Sequence, residues 1–294
     1  MLGAIEGGGT KFLCAVGEGH DAVVASQRIQ TRTPDETLEE VAAFLGRYEL
    51  EAVGIGMFGP LELSAGPRWG SLLRTPKPDW SDAPVASRIS EALGGVPVAI
   101  DTDVNAAALG EATWGAARGA DPVLYLTVGT GVGGGVLVHG APVHGLMHPE
   151  LGHLPVPVLT DAEGRPDPFP GACLFHGRCL EGVASGPALH ARLGLSAEEI
   201  ADEHPVWELT GRYVGHALAS AVLVLSPERI VVGGGVATRP ALLPAARRAL
   251  SEALAGYVAR PQLGASIDEY VVRPGLGDRS GIAGAFALAK TCTA

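Results

Sequence analysis

Between His148 and Glu181 the chain reads HPELGH, a loop, and then CLFHGRCLE, which interleaves four possible zinc ligands, His153, Cys173, His176 and Cys179, with two glutamates, Glu150 and Glu181. Zinc takes four tetrahedral ligands of mixed sulfur and nitrogen, and a C-x2-H-x2-C cluster plus one more distant histidine supplies them without strain on spacing. A Cys2His2 set leaves no open position, the composition of a closed structural site. The plainer readings are a reduced pair of core cysteines or a disulfide between Cys173 and Cys179. With the metal in place, Glu150 and Glu181 are expected to be held beside it rather than on it.

A second polar constellation, Asp101-Thr102-Asp103-Val104-Asn105, follows the apolar run VPVAI and precedes a helical pattern. Open α/β folds place their ligands at such strand ends. A carboxylate near a helix N-terminus is kept ionised by the dipole, as a base accepting a hydroxyl proton should be, so Asp103 is the candidate base. The alternative is that Asp103 only caps the helix. Each sugar hydroxyl taken from water must find a partner or costs roughly 1–3 kcal/mol, and Asp103, Asn105, Glu150 and Glu181 together offer acceptors for a polyol. His153 is ambiguous, since one imidazole nitrogen can bind zinc while the other donates to a ligand.

Glycine clusters supply the third element of chemistry. Gly129, Gly131 and Gly134 satisfy G-x-G-x-x-G after a strand, yet the following GVLVHGAPV continues as a strand, whereas a dinucleotide fingerprint must open a helix. No G-x4-G-K-S/T loop occurs either. Two glycine-rich hairpin turns can still bind phosphate, because consecutive backbone N–H groups without Cβ atoms approach an anion closely. The turns are Gly7-Gly8-Gly9 and the one through Gly129, Gly131 and Gly133, with Thr10, Lys11 and Thr130 as further donors. Facing one another across a cleft they would clamp a nucleotide tail. A third cluster, Gly233-Gly234-Gly235, ends the run RIVV; taken singly, each cluster reads equally well as a tight turn.

The elements that must position these groups follow from pattern. Strand, glycine turn, strand opens the chain, and a strand near Val23 to Ile29 follows. Thr33-Pro34-Asp35-Glu36 is a capping box with proline at the first helical position, and Leu38, Val41, Phe44 and Leu45 repeat at helical spacing. Then come a buried strand AVGIGMF, a Pro- and Gly-rich loop through Trp80, a helix near Pro84 to Leu93, the strand VPVAID and a helix from about Asn105 to Ala117. The strand, glycine turn, strand unit recurs about 120 residues on, an architectural repeat without sequence identity. Helices near Glu181 to Leu193 and Val206 to Leu225, the strand RIVVGGG, a helix within Pro240 to Tyr257, a strand near Tyr270 to Arg273 and a helix within Gly281 to Lys290 complete the reading.

At 294 residues and 47 % hydrophobic content the chain can bury a large core, and its length suggests two lobes. A net charge of −11 opposes association with phosphate backbones or anionic membranes, so neither nucleic acid nor membrane is an expected partner. No run of about 18 apolar residues spans a bilayer, and MLGAIEGGGTKF lacks the regions of a signal peptide, which predicts a cytoplasmic location. With four cysteines, of which Cys14 lies in an apolar strand pattern and Cys292 in the tail, no disulfide framework is visible.

The ordered motifs resemble those of the ROK sugar kinases, within the actin and hexokinase superfamily. EGGGTK at 6–11 resembles the first phosphate loop, GIGMFGP at 54–60 with Gly59 the sugar-side loop, DTDVNAAALGE at 101–111 the catalytic segment, LTVGTGVGGGVLVHG at 126–140 the second phosphate loop and IVVGGGV at 231–237 with Gly234 and Gly235 the adenosine contact. The zinc loop and the EGGGTKF start are most similar to bacterial fructokinases. The resemblance implies an α/β, two-lobed actin/hexokinase-like (ribonuclease H-like) ATPase fold with a duplicated core. Its lobes would be 1–117, completed by helix 281–294, and 118–280. It implies ATP-dependent phosphorylation of a hexose, fructose first and mannose, glucose or an N-acetylhexosamine after it, with Mg2+ accompanying ATP, structural Zn2+ and a homodimer. Asp103 would be the base, with Gly59, Asn105, Glu150, His153 and Glu181 around the sugar and Gly8, Gly9, Thr10, Lys11, Gly129, Thr130, Gly131, Gly133, Gly234 and Gly235 around ATP. The family's phosphate loop commonly opens with Asp where this chain has Glu6, which bears on magnesium positioning, and His176 stands where a thiolate is commoner. Repressors in the family carry a DNA-binding module before the core, for which the start at Met1 leaves no room. A catalytically idle sugar sensor is the alternative of another class.

Overall fold

The computed structural model describes residues 1–161 and 163–293. The chain opens as the hairpin β1 (Leu2–Gly7) and β2 (Lys11–Gly17), extended by β3 (Val23–Gln30). Thr33 then starts α1 (Pro34–Leu45) through the expected capping box: its side chain accepts from the Glu36 N–H while the Glu36 carboxylate takes the Thr33 N–H at 3.3 Å. Strand β4 (Ala52–Met57) follows, buried throughout. The Pro- and Gly-rich loop holds a small ladder, β5 (Leu61–Glu62) with β6 (Ser71–Leu72). It is pinned by Trp80, whose fully buried indole packs on Phe12 and Phe58 and donates to the Arg32 carbonyl at 2.8 Å. Next come α2 (Val85–Ala92), β7 (Val98–Thr102) and α3 (Asp103–Trp114).

The pattern then restarts with β8 (Val123–Val128), β9 (Val132–Val138) and the short β10 (Ala141–Pro142). Beyond a long loop lie α4 (Leu180–Ala184), α5 (Gly186–Leu193), α6 (Val206–Leu225), β11 (Arg229–Gly233), α7 (Leu242–Leu254), α8 (Ile267–Tyr270), β12 (Val271–Val272) and α9 (Ser280–Thr291). The two five-stranded sheets, in the orders β3-β2-β1-β4-β7 and β10-β9-β8-β11-β12, repeat one plan. In each, the opening strand lies centrally, with its hairpin partner on one side and parallel strands on the other.

Two expectations need correction. The helix expected from about Asn105 to Ala117 begins at Asp103, because Thr102 is its cap and accepts the Asn105 N–H at 3.1 Å, and it stops at Trp114. The single helix expected over Glu181 to Leu193 is broken at Ser185, whose hydroxyl caps α5 at Ala188 while Gly186-Pro187 restart the turn.

Contacts divide the chain into two compact units, one of residues 1–119, 135–149 and 274–294, the other of 120–134 and 150–273. This differs from the division 1–117 with 281–294 against 118–280, for identifiable reasons. Gly135 lies so close to the backbone of Val104 and Asn105 that no Cβ fits, and the Val136 N–H donates to Asn105 Oδ1 at 3.2 Å, which fastens 135–149 to α3. The 274–280 segment is fastened by Glu111, fully buried on α3, whose carboxylate accepts from the N–H groups of Ala116, Gly275 and Leu276 and from Ser280 Oγ at 2.6–3.0 Å. Glu111→Ala orphans four donors, of which the Leu276 N–H and Ser280 Oγ are buried. It is expected to lower stability by about 3 kcal/mol or more, read as the shift of the urea midpoint of this unit. In the second unit, Gly211 and Gly215 of α6 lie against Leu242, Ala245, Ala246 and Ala249 of α7 at backbone distance.

Candidate active site

In the first unit the turn between β1 and β2 is closed by the Gly8 N–H donating to the Lys11 carbonyl at 2.9 Å. Thr31 braces it by donating from Oγ1 to the Gly8 carbonyl at 2.7 Å. Gly9 and Thr10 are left exposed, with open space where a Gly9 Cβ would stand, and Lys11 is exposed too. At the root of this turn sits Glu6, on β1 in register with Gly56 of β4, its carboxyl against Gly281 at the start of α9. Burial, then the negative charge of Asp103, push its pKa up to about 7, against the pull of Lys11 and the Ile282 N–H.

Asp103, half-buried, is the first residue of α3, and its Oδ1 accepts the Val104 N–H at 2.9 Å. Because Thr102 does the capping, the simple N-cap reading of Asp103 is removed. Asp101 and Asn105 are buried beneath it. Asp101 Oδ1 accepts from the Thr102 N–H and Asn105 Nδ2, both at 2.7 Å, and its Oδ2 meets His144 Nε2 at 2.9 Å. With Nδ2 on Asp101 and Oδ1 on Val136, Asn105 is a strut between strand, helix and the 135–149 segment. Near Gly59 lies His148, whose Nε2 accepts the Leu61 N–H at 3.0 Å. Sequence reasoning placed Asp101 in the polar constellation without a role and assigned none to His144 or His148, whose partners are up to 87 residues away in the chain.

Glu6 also sets a pH dependence. Its unfolded value is 4.5 and its folded value about 7, so the folded state binds the proton more tightly, and the contribution of Glu6 to stability declines as pH rises through that window. Glu6→Gln is expected to remove up to about 3 kcal/mol of that decline between pH 4.5 and 7, measured by urea titration at several pH values.

In the second unit the turn Gly129-Thr130-Gly131 is closed by the Gly129 N–H on the Gly131 carbonyl at 2.9 Å, and the Gly129 carbonyl accepts the Gly186 N–H at 2.8 Å. Gly131 and the Val132 N–H abut Glu181 Oε2, the latter at 3.1 Å, and Gly133 continues into β9. Gly129 lies beside Gly234 and Gly235, so two of the three glycine clusters form one surface. Gly234 has φ +91° and any Cβ there would strike the Val128 carbonyl and Thr127 Oγ1, which restricts the position to glycine. Loss of water, then the charge of Glu181, push the pKa of Glu150 up to about 7, so the two glutamates are electrostatic neighbours.

His153, Cys173, His176 and Cys179 converge, with all donor atoms within 4.8 Å of one another. Cys173 Sγ is 3.7 Å from Nδ1 of both His153 and His176, and Cys179 Sγ is 3.5 Å from His153 Nδ1. Sulfur and nitrogen ligands on a tetrahedral zinc at bond lengths of about 2.3 and 2.0 Å lie about 3.5 Å apart, so the donor set fits that ion. Both cysteines are free thiols, which sets aside the disulfide reading. Cys173 and Gly177 form a tight turn with mutual backbone hydrogen bonds, and Cys179 caps α4, so Glu181 follows the last of the four candidate ligands by two residues on a fixed element.

The loop carrying these ligands is anchored by a group the sequence did not reveal. Asp167 takes a bidentate pair from Arg192 at 2.6 and 2.8 Å and the Tyr213 hydroxyl at 2.6 Å, while Arg178, lying between His176 and Cys179, donates to Tyr213 and to the Asp167 and Phe169 carbonyls. Burial would raise the Asp167 carboxyl, but the Arg192 and Tyr213 hydrogen bonds hold it well below the usual carboxylate range.

Two α/β units of one strand plan, each opened by a strand, glycine turn, strand hairpin, define the actin-like two-domain sugar kinase fold. The chain belongs to the ROK family, whose model matches residues 2–292. It is 43 % identical over 299 residues to a fructokinase of Zymomonas mobilis, covering 98 % of this chain and 96 % of that one. It is 38 % identical over 291 residues to a fructokinase of Pediococcus pentosaceus, covering 99 % and 98 %. The crystal structure of a ROK family glucokinase from Streptomyces griseus in complex with glucose and AMPPNP superposes with a TM-score of 0.78 at 25 % identity, covering 99 % of each chain. Among the described residues no helix is long and apolar enough to cross a membrane.

Proposed function

We propose that this ROK protein is an ATP-dependent hexose kinase whose preferred acceptor is fructose, giving fructose 6-phosphate. The observation that carries the reading is the placement of Asp103. A half-buried carboxylate opens α3, is relieved of capping by Thr102, and stands near enough to Glu6, at the root of the phosphate turn, to raise its pKa. The fructokinase relatives, matched over nearly the full chain, support the choice of sugar.

Asp103 accepts the proton of the sugar hydroxyl as its oxygen attacks the γ-phosphorus of ATP; the new O–P bond forms as the bond to the β-phosphate oxygen breaks, and ADP leaves. Mg2+ comes with the nucleotide and offsets phosphate charge. The exposed Gly9, Thr10 and Lys11, in the turn that Gly8 closes, and the exposed Thr130 with the partly exposed Gly131 and Gly133, in the turn that Gly129 closes, supply phosphate donors; Gly234 and Gly235 receive the nucleoside end. Glu150, His153, Glu181 and Gly59 contact the sugar, and Asn105 acts through Asp101 and Val136. Zn2+ on His153, Cys173, His176 and Cys179 is structural and fixes the segment bearing both glutamates. The protein works in the cytoplasm as a homodimer.

The test is ADP release with Mg-ATP against fructose, mannose, glucose, N-acetylglucosamine and N-acetylmannosamine, with Asp103→Asn as control. Turnover highest on fructose and abolished by the substitution is the expected result. Binding of a sugar without turnover of any would place the protein among sugar sensors instead, and a single mass in solution ultracentrifugation at the monomer value would remove the homodimer.

A further inference from the structure

The segment His144–His148 carries two histidines, each spent on a different part of the first unit. His144 Nε2 reaches the buried Asp101 Oδ2 at 2.9 Å, and Asp101 in turn holds the Thr102 N–H and Asn105 Nδ2. Those same two residues form the cap of α3, the Asn105 N–H donating to Thr102 Oγ1, on either side of Asp103. Four residues on, His148 is 3 % exposed and accepts the Leu61 N–H, a buried donor next to cis Gly59-Pro60. Its ring lies 3.5 Å from where a Gly59 Cβ would stand, and burial keeps its pKa below the ordinary value, so it stays the neutral acceptor that Leu61 requires. Between them, Leu146 is fully exposed and Met147 partly so, and Gly145 and Met147 close a tight turn. The turn therefore makes its anchoring contacts through the two imidazoles rather than through its apolar tip.

We propose that this segment is a two-histidine clasp that positions the two reacting parts of the first unit separately, His144 the base through Asp101 and His148 the sugar-side loop through Leu61. Both are positioning residues, and the assignment of kinetic effects rests on the hexose kinase reading. A shift of the α3 turn moves Asp103 relative to a bound hydroxyl, which alters the chemical step, whereas a shift of 59–61 alters how the sugar is held before any chemistry. The clasp thus predicts a split that a merely structural loop would not give.

The experiment compares His144→Ala and His144→Gln with His148→Leu and His148→Gln in the metal-loaded, full-length protein. His144→Ala is expected to lower kcat roughly tenfold or more with the KM for fructose within about twofold, and His148→Leu to raise that KM roughly tenfold with a smaller change in kcat. Glutamine, which can donate to Asp101 or accept from Leu61, restores most of each loss. Amide hydrogen exchange on the same proteins gives a readout independent of turnover: Thr102, Val104 and Asn105 exchange faster in His144→Ala, and Leu61 faster in His148→Leu, while the α9 amides keep their protection. Unchanged exchange at those amides overturns the clasp whether or not a sugar is phosphorylated. Unchanged kinetic constants, or equal losses of kcat and KM effects in both variants that glutamine does not recover, overturn it as well. If the unmodified protein phosphorylates no hexose, the functional reading fails, and the exchange measurements still decide the clasp.

Discussion

Asp103→Asn is expected to lower kcat by about 10²–10⁴-fold, the usual contribution of a general base, while leaving the thermal midpoint and the KM for ATP close to those of the parent. The fold should tolerate it for local reasons. Asparagine is nearly the same size, its Oδ1 can still take the Val104 N–H, and the helix keeps its cap because that cap is Thr102. Nor does the change touch the struts beneath, since Asp101 and Asn105 bond to one another and to Thr102 and Val136. A second consequence separates this variant from a general lesion. The charge of Asp103 helps to push up the carboxyl of Glu6, so its removal lets Glu6 ionise at lower pH, and the decline of stability between pH 4.5 and 7 becomes shallower. Full activity in the variant would remove Asp103 from the chemistry. Lost activity with a large fall in midpoint would show that it serves the fold.

Metal removal ranks next in expected effect. Cys173→Ser, or exhaustive chelation, should release one equivalent of zinc and cost about 3–5 kcal/mol, or roughly 10 °C in midpoint. That is well short of the unfolding seen when zinc is a domain's sole organiser, because Asp167 with Arg178, Arg192 and Tyr213 anchors the same loop independently of the ion. The effect on turnover should exceed the effect on stability. Glu181 stands two residues from Cys179 on α4, and the His153 N–H bonds to the Glu150 carbonyl, so loss of the ion loosens both glutamates together. A chelated protein that keeps its midpoint and full activity would sink the zinc assignment. One that loses stability but keeps activity would leave the metal in place and detach it from the sugar site.

Local chemistry wrote much of this molecule into its sequence. The Thr33 capping box, the hairpins around Gly7–Gly9 and Gly129–Gly131, and the long helix Val206–Leu225 each depend on residues a few positions apart, and each is present as read. The convergence of the four candidate metal ligands was legible for a similar reason: three of the four fall within seven consecutive residues, and ligand spacing is a one-dimensional property. The break at Ser185 was missed because Gly186-Pro187 interrupts an apolar pattern that reads as continuous, and period alone does not see a cap in mid-run.

Tertiary structure decided everything that rests on pairing across long separations. Nothing near Glu111 in the chain announces partners some 165 positions away, nor near Asp167 that Arg192 and Tyr213 will meet it. Nothing in HGLMHPE says that His144 belongs to Asp101 and His148 to Leu61. A buried charge or polar donor takes whatever partner the packed fold brings to it, and that identity is fixed only when strands and helices have assembled. The sequence by itself therefore determined the family and the candidate residues for its chemistry, whereas the assembled units determined which residues hold those candidates in place, because ligand types are set by covalent structure and orientation by packing.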